Sequence, residues 1–114
     1  MDVKLIKKSI SKDQLEKIAE NNYRNMVKGV VDIKQKIIAL GGELHADAEE
    51  ALLRNNSNQK DLWGFNIYTD KPKEKRLEYT SFINIRPSQD NRSLEIQDEN
   101  LRNKIHKIID SLIE

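Results

Sequence analysis

The sequence contains no cysteine, which excludes disulfide cross-links, thiolate catalysis and cysteine-ligated zinc together. It has little excess charge: 20 Lys and Arg stand against 19 Asp and Glu, a net +1 at pH 7. Such a balance gives no strong electrostatic footprint for nucleic acid or an anionic membrane. Long apolar runs are missing, so no membrane-spanning helix is expected. The start, Met1-Asp2-Val3-Lys4-Leu5, lacks the apolar segment and small-residue cleavage site of a secretory signal, and a cytoplasmic location is the expectation. There is no internal repeat, no phosphate loop, no glycine-rich dinucleotide fingerprint and no nucleophile elbow around any serine. No cofactor is called for.

What is present describes a well-charged globule. Over 114 residues, 37% hydrophobic and 34% charged residues suit one domain spanning 1–114. The patterning predicts the order strand, helix, strand, strand, helix, strand, strand, helix. That order implies an α+β fold of two layers, a mainly antiparallel sheet with three helices on one face. Residues 3–8 read as an edge strand guarded by lysines. Ser11 caps a helix over 12–23, with Gln14 completing a capping box. Strands follow at 26–33 and from 36, and a hairpin through Lys34-Gln35 sets Val31 opposite Ile38 and Gly29 opposite Leu40. The second of these strands bends at Gly41-Gly42, runs on to Ala46 and feeds a short helix capped by Asp47 with Glu50. Residues 61–69 and 77–86 alternate strongly and predict a hairpin pairing Trp63 with Ile83, Phe65 with Ser81 and Ile67 with Tyr79. Asp98 opens a last helix whose stripe is Leu101, Ile105, Ile108, Ile109 and Leu112.

Four blocks carry a likeness: G-G-E-L-H-A-D-A-E from Gly41, D-L-W-G-F-N-I-Y from Asp61, S-F-I-N-I-R-P from Ser81 and D-N-R-S from Asp90. With these blocks in this order the chain resembles a family of small uncharacterised prokaryotic proteins, known only as a domain of unknown function. The likeness covers nearly the whole chain and implies no activity. Two departures stand out: the resembling sequences carry glycine where this chain has Asp90, and an acidic turn with glycine in place of Lys34-Gln35-Lys36.

Two groups of residues are candidates for function. Glu43, His45 and Asp47, two residues apart, would share one face of a strand, and imidazole with carboxylates suits zinc, iron or manganese; this is the reading of a metal-assisted hydrolase. The structural alternative gives Asp47 to the helix cap and leaves His45 an ordinary surface histidine. Asn66, Asn84, Arg86 and Arg92 could hold a small or anionic ligand, because arginine with amide donors recognises carboxylate or phosphate. On the predicted helix-free sheet face these join Glu43, His45 and Phe82 around Val30 and Ile37. That face is expected to be a working surface for binding such a ligand or a second copy of the chain. Lys71, Lys73, Lys75 and Arg76 read as a solvated loop, and nucleic acid is not an expected partner.

Overall fold

A computed structural model describes residues 2–114 of the chain. Strand β1 (Val3–Ile6) is followed by helix α1 (Lys12–Glu20), strands β2 (Met26–Asp32) and β3 (Ile37–Gly41), and helix α2 (His45–Leu53). Strand β4 (Leu62–Tyr68), a short β5 (Leu77–Glu78) and helix α3 (Glu99–Leu112) complete the regular elements. The sheet order is β1-β3-β2-β4-β5 with every neighbouring pair antiparallel. With its three helices this is an α+β fold.

The local signals at the starts of α1 and α3 act as expected. Ser11 Oγ accepts from the Gln14 N–H at 3.1 Å while Gln14 Oε1 accepts from the Ser11 N–H at 2.9 Å, so two otherwise orphaned donors are satisfied. Asp98 Oδ1 likewise accepts from Asn100 and Leu101. Helix α1 stops at Glu20, three residues short of the prediction, where Asn22 donates to the Ile18 carbonyl at 2.7 Å.

The β2–β3 register is the predicted one, Gly29 opposite Leu40 and Val31 opposite Ile38, but the loop between them is four residues long. Asp32, 1% exposed, sets that length. Its carboxylate accepts from the backbone N–H of Lys34 and Gln35, from Gln35 Nε2 and, at 2.6 Å, from Ser57 Oγ. Burial by itself would raise its pKa, and these hydrogen bonds together hold it below 3.8. Lys36 then takes φ 58°, and Asp90 takes φ 60°. Both positions therefore sit in turns that require left-handed backbone.

The helices do not lie on one face. Leu15, Ile18 and Ala19 of α1 and Ile105, Ile108, Ile109 and Leu112 of α3 bury against Val27, Val31, Ile38, Leu40, Trp63, Phe65 and Ile67. Ala48 and Leu52 of α2 bury against the alternate residues Val30, Ile37, Ala39 and Leu62. The sheet is thus covered on both sides, and Val30 and Ile37, expected on an open face, are core. The reason lies at the glycine pair. Gly41 and Gly42 take φ of 109° and 97°, which turns the chain out of β3 before it can continue to Ala46, and α2 starts at His45 on the second face.

The charged hairpin loop is solvated except at Arg76. Arg76 is 5% exposed and donates to the Ile113 and Glu114 carbonyls and to Asp110, tying the loop to the C-terminal end of α3.

Candidate functional site

Alternation along the pleat places Lys28, Asn66 and Glu78 side by side on the α2 side of the sheet. His45, the first residue of α2, lies over this row, and its Nε2 is 2.9 Å from the Phe65 carbonyl oxygen. Burial first, and the Lys28 ammonium after it, push the His45 pKa below 6.5; the Phe65 carbonyl, the Asn66 side chain and the Glu78 charge pull the other way. Asn66 Nδ2 donates to Glu78 Oε1 at 2.7 Å, and the Tyr68 hydroxyl donates to the same oxygen at 3.3 Å. The structure therefore brings His45 and Asn66 together, and adds Lys28, Tyr68 and Glu78, which the sequence reading had not joined to them.

Glu43 contributes through its backbone. Its carbonyl oxygen accepts from Tyr23 Oη at 2.9 Å and Lys28 Nζ at 2.8 Å, while its side chain is exposed. Asp47 caps α2, although from the third position and not as the N-cap: its Oδ2 accepts from the Leu44 N–H at 3.0 Å. A Cβ at Gly42 would lie 2.8 Å from the Asp47 Cβ, so the glycine gives that carboxylate room to reach back. His45 and Asp47 are thus committed to separate contacts, and the Glu43 side chain points to solvent. Among the described residues no group of three or more His, Asp or Glu side chains converges as metal ligands would. The shared strand face on which the metal reading rested does not form.

The second candidate group sits beyond β5, where the predicted strand over 77–86 stops after two residues. Ile67 pairs with Leu77 and not with Tyr79. The next stretch closes into a 3-10 turn, Phe82–Asn84, capped by Ser81 Oγ on the Ile83 N–H at 3.2 Å. Asn84 is fully buried, and its side-chain amide takes the place of the missing strand. Oδ1 accepts from the Gly64 N–H at 2.8 Å and Nδ2 donates to the Gly64 carbonyl at 3.0 Å. The turn approaches so closely that a Cβ at Gly64 would lie 2.6 Å from the Ser81 Cβ.

With the fold and these contacts in hand, the comparison with known families is decisive in one respect. The family model described as protein of unknown function DUF5674 matches residues 4–112. The chain belongs to that family. No curated protein and no solved structure matches it.

In this DUF5674 chain the remaining candidates divide sharply. Arg86 stacks on Trp63 at 4.1 Å and donates to the carbonyls of Ile83, Gln59 and Leu62 and to Gln89 Oε1. Burial lowers its pKa, with the Glu49 charge opposing. Nearly all its donors are thus occupied within the protein, which withdraws it from anion capture. Arg92 is exposed on the following loop. Phe82 points away from all of this and is 81% exposed.

The sequence reading missed Asn91. It is 4% exposed and donates to the carbonyls of Asn84, Ser93 and Glu95 while accepting from the Gln97 N–H. Its only sequence signal is its place in the D-N-R-S block, an asparagine in a stretch without helical or strand period.

Proposed function

We propose that this protein is a binding module, not a catalyst, and that Phe82 is the centre of a contact between two copies of the chain. One contrast carries the reading: Phe82 is 81% exposed while Ser81 and Asn84 on either side of its turn are 5% and 0% exposed. Leaving such a ring in water forgoes about 1.5–3 kcal/mol of burial. The turn beneath it is pinned by Asn84 and Ser81, so the ring cannot reach the core by a local rearrangement.

Ile85 and Leu94 are the exposed apolar neighbours. The Leu94 carbonyl accepts from the Ser81 N–H at 3.0 Å, which ties that residue to the same turn. Arg86, the adjacent charge in the sequence, is turned inward, and the patch is left apolar within a polar surround, the anatomy of a contact site. An apolar patch is best met by another apolar patch. A two-fold contact supplies one from the same chain, and a net charge of +1 puts little long-range repulsion between copies.

Light scattering across a dilution series tests this. Wild type is expected to approach twice the 13.3 kDa chain mass as concentration rises, and Phe82→Ala to stay at the monomer mass with stability within about 0.5 kcal/mol of wild type. A wild type that is monomeric at every concentration ends the proposal.

A further inference from the structure

Among the described residues the sheet ends at β1, which pairs with β3 alone. Among the described residues the outward backbone N–H and C=O groups of Val3–Ile6 make no hydrogen bond beyond that ladder. An unpaired strand edge is a template for another strand. Here it has a wall beside it. Between β1 and α1 lies an open groove of about 370 Å³ lined by Lys4, Ile6, Ile10, Gln14, Lys17 and Ile18 among others.

The chemistry of the lining follows from two periodicities. Alternation puts Lys4 and Ile6 on the α1 side of β1, and Gln14, Lys17 and Ile18 share one flank of α1 at three- and four-residue spacing. The acidic residues of that helix, Asp13, Glu16 and Glu20, lie elsewhere on its surface, and no carboxylate lines the groove. The floor is therefore aliphatic and both charged groups are ammonium.

We propose that this groove takes an extended acidic peptide segment that adds to β1 as a sixth strand. Main-chain hydrogen bonds to the free edge would supply affinity, and alternate side chains the selectivity. At about 3.3 Å per residue the four residues of β1 engage a segment of similar length. Toward α1 that segment presents a carboxylate to Lys4 and Lys17 and, two residues along, an aliphatic side chain to Ile6, Ile10 and Ile18. A second copy of β1 fits poorly. Pairing two Val3-Lys4-Leu5-Ile6-Lys7-Lys8 stretches crowds six like charges along one seam, and the same lysines attract carboxylates. This inference rests on no part of the Phe82 reading.

Fluorescence anisotropy with the full chain and a labelled synthetic peptide, Thr-Glu-Thr-Val-Thr, tests it. Replacing Glu by Lys in the peptide is expected to weaken binding about tenfold or more. Replacing the middle Thr by Pro, which removes a backbone donor, is expected to do the same. The Lys4→Glu, Lys17→Glu double variant changes two exposed side chains and keeps the fold, which a thermal melt verifies. Its preference is expected to invert toward the Lys peptide. Equal affinity for the Glu and Lys peptides, no binding by wild type at millimolar peptide, or an unchanged preference in the double variant would overturn the proposal. So would a wild-type dimer that this double variant dissociates, since the edge would then belong to a second copy.

Discussion

Asn84 replaces a strand with one side-chain amide. Because Gly64 sits inside the sheet with no backbone partner on that side, its N–H and C=O depend on Asn84 for satisfaction. Asn84→Leu keeps the branching and heavy-atom count and removes both contacts, so it is expected to cost about 2–5 kcal/mol, the penalty for stranding two buried polar groups. Urea denaturation measures it, and a change within about 0.5 kcal/mol would refute the assigned role. His45 offers a pH-dependent counterpart. Its pKa is lowered in the folded chain, so as pH falls below the unfolded value near 6.5 the unfolded chain takes up the proton first. The contribution is complete above that pH and is lost as pH drops through the folded value. Denaturation midpoints between about pH 7.5 and 5 are expected to fall less steeply for His45→Gln than for wild type; equal slopes would remove His45 from the acid response. Neither role was legible. An asparagine in an alternating stretch reads as a strand residue, and a histidine three positions after a glycine pair reads as strand or helix depending on φ angles that the sequence does not display.

At the scale of elements, the legible parts were those fixed within a few residues. Ser11 with Gln14, Asp98 before its apolar stripe, and the Gly29–Leu40 register each depend on local spacing, and each forms as expected. The failure was residues 79–86, where strand alternation is genuine but Ser81 and Asn84 offer the backbone side-chain partners that compete with a ladder. Two adjacent signals of opposite meaning cannot be ranked without the tertiary setting, and here the close approach at Gly64 decides. The hairpin after β2 carries a further consequence. Lys36 holds φ 58°, a conformation that strains an L side chain by about 1–2 kcal/mol, whereas glycine loses about 0.5–1 kcal/mol of chain entropy. Lys36→Gly is therefore expected to raise stability by roughly 0.5–1 kcal/mol, visible as a higher melting temperature. A lower one would mean that the lysine side chain holds the turn in a way its backbone angle does not reveal.

On the scale of the whole molecule, the decisive feature is a sheet buried on both faces. The signal was present in Ile37-Ile38-Ala39-Leu40, four apolar residues without alternation, which is the pattern of a strand covered on both sides. The expectation of an open face came from the polar residues of β4 and from extending β3 past its glycines. Placing α2 opposite α1 and α3 makes β2 and β3 common to two apolar layers, so neither layer can be lost without exposing the other side of the same strands. Leu52 and Ile105 are both fully buried, one in each layer. Leu52→Ala and Ile105→Ala are each expected to cost about 2–5 kcal/mol, and, having no shared contacts, to add within about 0.5 kcal/mol in the double variant. Trp63 belongs to the α1 and α3 layer, which gives a local probe of that side. Its fluorescence and the far-ultraviolet circular dichroism are expected to trace one coincident unfolding transition in all variants. A Leu52→Ala protein that loses helical signal at a lower denaturant concentration than its Trp63 signal would show that α2 is a separable cover and not half of the core.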